Sequence, residues 1–306
     1  MTIEAPAVGE RTEARRPSFV GILRGELFKI SRQRATWVMG IVLACFLIGP
    51  QVLIAALHNP HLKQQVSAAP LQFLYTLMGI DAAVLRIFSG TFLILLTARL
   101  IGMEYSGGTI RVLLARGVGR LELLGAKLLA VALVALGILA AGLLLEGLLN
   151  LVVLQAVMGN LDALSLLNGA FWADTWTVTL TVAISMAVSI LMAAAVTVVT
   201  RSLAAGLAIG ASFFAADNIG VIFFYLASQL TGSDFWTVAT GDLLGPNLNV
   251  MQGAVLPARA QAAAAQVLTP PLVPVTGGHT LLVAAFWSAL FVALAVGLTW
   301  KRDVTE

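Results

Sequence analysis

Hydrophobic positions in this chain come in long unbroken runs, not in the alternation of strands or the narrow stripes of soluble helices. A bilayer core of about 30 Å needs about 20 apolar residues, each rising about 1.5 Å along a helix. Six runs reach that length, at 36–57, 82–103, 128–149, 176–200, 203–228 and 280–300, and each predicts a transmembrane helix. Only Arg201 and Ser202 separate the fourth from the fifth, so these two are expected to form a helical hairpin. The third run stays apolar to about Met158, which predicts an outer end that tilts, kinks at Gly142 or Gly147, or continues as an interfacial turn.

The intervening segments carry patterns of their own. Residues 1–17 read as a disordered cytosolic tail. Pro17 and Ser18 then give a helix start, and Phe19, Ile22, Leu23, Leu27 and Ile30 recur at three- and four-residue steps with Arg24, Lys29, Arg32 and Arg34 largely off the stripe. This predicts an amphipathic interfacial helix over 18–35, against the plainer reading of an ordinary basic flank. Between the second and third spans, 104–127 reads EYSGGTIRVLLARGVGRLELLGAK. Gly107 and Gly108 break the helix after Glu104, Ile110, Leu113 and Leu114 share a face, Arg111, Arg116 and Arg120 supply charge, and Gly117 with Gly119 lets the chain turn back toward Lys127. A stubby apolar and cationic piece of this kind suits docking into a partner's groove; an ordinary basic loop with some leucines is the competing reading. The outer segment, 229–279, is apolar enough to predict helices that dip into or cap the outer leaflet, with disorder over 269–278 as the alternative.

Composition sharpens the picture. The 306 residues are 59% hydrophobic and only 11% charged, against about 25% charged in a soluble domain, so a water-soluble globule is excluded. Cys45 is the one cysteine, which excludes an intrachain disulfide framework and multi-cysteine metal sites. With the amino terminus inside, 15 of the 18 Lys and Arg residues fall in inner segments and only Lys63, Arg86 and Arg259 fall outside. The positive-inside rule then places both termini in the cytosol and accounts for the basic pI without nucleic acid. The polar, basic first 35 residues lack the early apolar core of a cleavable signal, so the first span is expected to be retained.

Ionisable groups within a bilayer are costly and therefore functional candidates. They are Asp217 beside Asn218 in the fifth span, Glu146 in the third and Arg86 in the second. Asp217 is expected either to face a central cavity or to hydrogen-bond nearby backbone; Arg86 and Glu146 read better as structural, with Arg86 paired to Glu146 or Asp81. In the fourth span Thr177, Thr181, Ser185, Ser189, Ala193 and Thr197 form a ridge at four-residue intervals, and Gly206 and Gly210 repeat the theme in the fifth. Close helix packing explains both better than a substrate path. His58, His61 and His279 read as loop residues and not as a metal site. The intramembrane serines lack a His or Lys partner for hydrolysis.

The basic amphipathic amino terminus FVGILRGELFKISRQRATW, the second span running into EYSGGTIRVLLARGVGR, the Lys opening the third span and the GDLLGPNLN motif before the last span together resemble the membrane subunits of ABC type-2 exporters. The resemblance covers essentially the whole chain. It implies an all-helical, six-span permease of the bacterial inner membrane, working as a homodimer or related heterodimer. It further implies that a separate cytosolic cassette ATPase binds the ATP and Mg, with no cofactor on this chain. The inner segment would be the coupling helix, assigning that role to Glu104, Gly107, Gly108, Thr109, Ile110, Arg111, Leu113, Leu114, Arg116 and Arg120. GDLLGPNLN would be a Pro-Asn turn. Consistently, no G-x-x-x-x-G-K-[ST] phosphate loop occurs in the chain. A non-transporting sensor or scaffold, and a proton-coupled carrier using Asp217 and Glu146, remain as alternatives.

Overall fold

A computed structural model describes residues 18–56, 60–115, 117–264 and 268–301. Among these residues the chain is helical, without a strand. Helix α1, Phe19–Arg32, is N-capped by Ser18, whose Oγ accepts from Gly21 N at 3.2 Å. Gln33 separates it from α2, Arg34–Ala56. After α3, Pro60–Ala68, come α4, Pro70–Ser106, the short α5, Thr109–Ala115, and α6, Arg120–Met158. A 3-10 turn at Asp162–Leu166 leads to α7, Gly169–Thr200, and then to α8, Leu203–Thr231. The rest comprises α9, Phe235–Ala239, α10, Leu244–Val255, a 3-10 turn at Ala258–Ala263 and α11, Gly277–Lys301.

Helices α2, α4, α6, α7 and α11 are long and apolar enough to cross a membrane, and α8 supplies a sixth crossing if its two halves, Leu203–Phe213 and Ala215–Thr231, bent by 49°, count as one span. In α4 and α7, 67% of the most apolar window is buried, against 17% to 28% in α2, α6 and α11. The first pair is therefore the centre of the bundle, and the others present much of their surface to the outside.

The predicted hairpin forms. Arg201 closes α7 in the left-handed region at φ 51°, and Ser202 caps α8 by accepting from Ala205 N. A Cβ on Gly206 would stand 2.6 Å from Thr197 Oγ1, and one on Gly102 of α4 would stand 2.7 Å from Leu203 Cα. Hydrogen at these positions is what lets α8 lie against α7 and α4. The ridge from Thr181 to Thr197 is buried, whereas Thr177 is half-buried. Ser189 and Thr197 donate back to the carbonyls of Ser185 and Ala193, which leaves their small faces for packing.

Other boundaries differ from expectation. The second span starts at Pro70, twelve residues early, because a proline is well accommodated at a helix start and an apolar helix continues past the hydrocarbon when its neighbours extend with it. The third begins at Arg120 and runs without interruption to Met158, ending on left-handed Gly159. Lys127 therefore lies two turns inside α6 instead of opening it, and Gly142 and Gly147 fall within a continuous helix. Residues 60–68 form α3, so His61 is helical, while His58 lies outside the described residues, as do 1–17 and Arg116. The GPN stretch is no turn: Gly245, Pro246 and Asn247 fall in the first turn of α10, where a proline costs no hydrogen bond. Helix α10 is buried along most of its length among α7, α8 and α11, as a segment that dips into the bundle must be. Of the ARAQAAAAQVL run, Ala258–Ala263 form a 3-10 turn, 265–267 lie outside the described residues, and 268–276 is irregular chain.

Candidate functional site

At the end of the bundle that carries α5, four charges from three helices converge. Lys127 of α6, 4% exposed, stands 2.7 Å from Glu104 Oε1 of α4 and 2.9 Å from Glu26 Oε2 of α1, and donates to Leu100 O at 3.0 Å. Lys29 of α1, half in solvent, completes the group at 2.7 Å from Glu26 Oε1 and 2.9 Å from Glu104 Oε1. Two ammonium groups and two carboxylates balance. Any one left alone at this depth would carry a desolvation cost of several kcal/mol. Burial by itself depresses Lys29, but its hydrogen bonds to Glu26 and Glu104 and their charges outweigh that and hold the ammonium above the ordinary lysine value. Leu23, Leu27 and Ile30 add apolar contact with the main core, so α1 is folded onto the bundle and not merely laid on a membrane surface.

Helix α5 hangs from this platform between two glycine joints. Gly108 at φ 65° and Gly117 at φ 82° occupy the left-handed region that glycine adopts without strain. Gly107, Gly108, Thr109 and Val112 are exposed and Leu113 is half-buried. Ile110, Arg111 and Leu114 lie within α5, their side chains outside the described residues. Arg120, half-buried, is the first residue of α6. Among these predicted residues whose side chains are described, Glu104 is the one that faces inward, 6% exposed. Sequence reasoning missed Glu26, Lys29 and Lys127 as its partners. The available signal was a pair of carboxylates, Glu26 and Glu104, in segments otherwise dominated by cations.

Within the membrane-spanning region the polar groups sort into separate places. Arg86 pairs with neither Glu146 nor Asp81, contrary to expectation: its Nη1 donates to Asn249 Oδ1 at 3.3 Å. Helix α10 brings this amide alongside α4, where a carboxylate was expected. Asn249 Nδ2 in turn donates to Asn218 Oδ1 at 2.8 Å and to Thr269 O at 2.9 Å, so Asn218 of α8 belongs to a polar chain that seats α10. Asp217 accepts from Gly245 N and so satisfies an amide of the first turn of α10. One carboxylate oxygen thus meets backbone at the start of α10, and the side chain is half-buried.

Glu146 stands elsewhere. It is 4% exposed and lines a cavity of about 450 Å³ between α4, α6 and α7, together with Asp81 and Asn150. Asp81 accepts from Gln51 Nε2 of α2, and from Asn150 Nδ2 at 2.7 Å. Asp81 was named from sequence only as a partner for Arg86, and Gln51 not at all; the pairing joins positions 30 residues apart on different helices. Near the same end, Asp174 accepts two bonds from Arg259, at 2.8 and 2.9 Å, and one from Tyr75 at 2.8 Å. This ties the 3-10 turn at Ala258–Ala263 to α7 and α4. The hydrogen-bonded Asp174 carboxylate holds the exposed Arg259 guanidinium above its ordinary value. His279 touches Gly241 O at 2.8 Å, and no group of metal-ligating residues occurs among the described residues.

A comparison with curated proteins finds no match. The profile of a family described as "ABC-2 family transporter protein" matches residues 22–217, more than half of the chain. The matched stretch runs from within α1 to the middle of α8 and so contains the four-charge cluster, α5 and the cavity-lining helices. Membrane proteins of that family generally work with an ATPase subunit. With this match and the apolar helices that carry it, the chain belongs to the ABC-2 transporter family and is a multi-pass membrane permease of an ABC transporter.

Proposed function

We propose that this permease is the membrane half of an exporter of the bacterial inner membrane, with both termini in the cytosol. A separate cytosolic cassette ATPase, which binds the ATP and Mg, docks on α5, and a second permease copy completes the assembly. The observation that carries this reading is the exposed α5 suspended from buried charges that clamp α1, α4 and α6 together. A push on α5 is delivered to two helices at once. From Glu104 to Asp81 along α4, and from Lys127 to Glu146 along α6, the chain rises about 35 Å and about 29 Å at about 1.5 Å per residue. Both rods end in the walls of one cavity, so changing their relative tilt changes its shape. ATP-driven approach of two ATPases would thus be converted into outward release. The proton-carrier alternative uses Asp217 and Glu146; Asp217 accepts from Gly245 N while Glu146 lines the cavity, and transport without any ATPase is the outcome that would favour it.

The test is site-specific photocrosslinking in cells. Benzoylphenylalanine at Val112 of α5 is expected to capture a cassette ATPase, and the same probe at Leu230, 86% exposed at the far end of α8, is not. Arg111→Glu should abolish the capture while the chain still inserts. Absence of any ATPase adduct at Val112 in cells that export through the chain, or equal capture at both positions, would overturn the proposal.

A further inference from the structure

The cavity between α4, α6 and α7 has an unusual balance of groups. Its walls are largely leucine and valine, with Phe171, Trp172 and Trp176 on the α7 side, and its polar groups include Asp81, Glu146 and Asn150. No lysine, arginine or histidine is among the described residues that line it. Asp81 has amide donors from Gln51 and Asn150. Glu146 Oε1, by contrast, is buried with no hydrogen-bond partner among the described residues, and the same holds for Gln51 Oε1 and Asn150 Oδ1 around it. All three orphaned atoms are acceptors. Glu146 and Asp81 thus bring two carboxyl groups from facing helices to one cavity.

Acceptors and acids without a donor or a counter-charge define their missing partner. An anion or a neutral hydrocarbon would leave the cavity-lining acceptors of Glu146 and Asn150 unmatched; a cation bearing N–H groups would match them and offer Glu146 a counter-charge. The indole faces of Trp172 and Trp176 favour the same sign of charge, and the aliphatic walls ask for an apolar body around it. The volume, about 450 Å³, lies in the ordinary range for a small organic ligand. Trp172 and Trp176 on α7 are exposed, and Leu143 and Leu151 on α6 are marginally so, which places the mouth on the outer surface of the bundle, where lipid would lie. From these observations we infer that the cavity is a binding site for lipophilic organic cations, with Glu146 as the residue that fixes the positive charge and Asp81 and Asn150 beside it. As a statement about cargo it rests on the exporter reading; as a statement about binding it does not.

The test uses purified full-length permease, without any ATPase, in nanodiscs of phosphatidylglycerol. Ethidium is the probe, and its fluorescence reports transfer into an apolar site. Saturable binding is expected, displaced by tetraphenylphosphonium but not by tetraphenylborate, which has the same shape and the opposite charge. Glu146→Gln should weaken ethidium binding at least about tenfold, while Leu148→Gln, a polar change on the exposed face of the same helix, should not. In wild-type protein, dicyclohexylcarbodiimide should label Glu146, and ethidium should protect it; this reading holds even if a variant fails to fold. Adding phosphatidylethanolamine to the nanodiscs separates two sources of the same chemistry: competition with ethidium identifies a lipid ammonium as an occupant, and its absence restricts the site to free cations. Absence of saturable binding, equal displacement by tetraphenylborate, or unchanged affinity in folded Glu146→Gln would overturn the inference. None of these results depends on the Val112 crosslink, so either proposal can fail alone.

Discussion

Replacing Lys127 by methionine removes one of two positive charges from a cluster with two negative ones. Methionine matches the length of the lysine stem, so packing is nearly conserved and the change is mainly electrostatic. The variant leaves Glu26 and Glu104, both buried, sharing the half-exposed Lys29, and frees Leu100 O. Removing one partner of a buried ion pair costs about 3–5 kcal/mol. Because Glu26 and Lys29 are on α1, that energy appears chiefly as release of α1 from α4 and α6. At about 1.4 kcal/mol per factor of ten, the opening equilibrium of α1 should rise by about two to three and a half orders of magnitude. Amide hydrogen exchange of residues 19–32 in nanodiscs, followed by mass spectrometry, measures that opening directly. The double variant Glu26→Gln with Lys127→Met should recover part of the loss, since it restores neutrality. A rise of less than about threefold for Lys127→Met, or strictly additive effects in the double variant, would show that the four charges are not energetically coupled.

Further outcomes follow from the same geometry. Gly102→Ala places a methyl 2.7 Å from Leu203 Cα and should destabilise the folded chain by about 1–3 kcal/mol in thermal unfolding, whereas Gly137→Ala, with open space around it, should be neutral or slightly stabilising. Asp217→Ala should loosen α10, seen as faster exchange at 244–249, while Asp217→Asn, which keeps an acceptor for Gly245 N, should change little. Lys29 is held above its ordinary value, so its contribution to clamping α1 is fully present below the ordinary lysine value and is lost only as pH rises through the higher folded value. Exchange of α1 that Lys29 accelerated between neutral pH and mildly alkaline conditions would contradict this.

Much of the architecture could be read from apolar run length, because the bilayer imposes that length on any crossing helix. The tight hairpin at Arg201 and Ser202 and the amphipathic α1 were legible for the same kind of local reason. What escaped were features set by groups distant in the chain. Lys127 looked like a flank because the helix start at Arg120 depends on packing against α1 and α4. Arg86 meets an amide and no carboxylate among the described residues, because Asn249, 163 positions away, is carried to it by a helix whose burial no periodicity announced. The cavity was half visible: Glu146 stood out as a charge in an apolar run, but Asp81 lay at the edge of a predicted span and Gln51 is uncharged. Their convergence needed three helices in register.

The junction of only two residues between α7 and α8 constrains how the molecule can move. With Gly206 against Thr197 and Gly102 against Leu203, there is no slack at that elbow, and the central helix α4 is fastened to the same block. Any cycle of shape change has to find its play in the longer connections, at Gly107 and Gly108 before α5, at 117–119 ahead of α6 and at 159–168 between α6 and α7. The last of these borders the mouth of the cavity, which makes α6 the natural swinging door and the rest of the centre its frame.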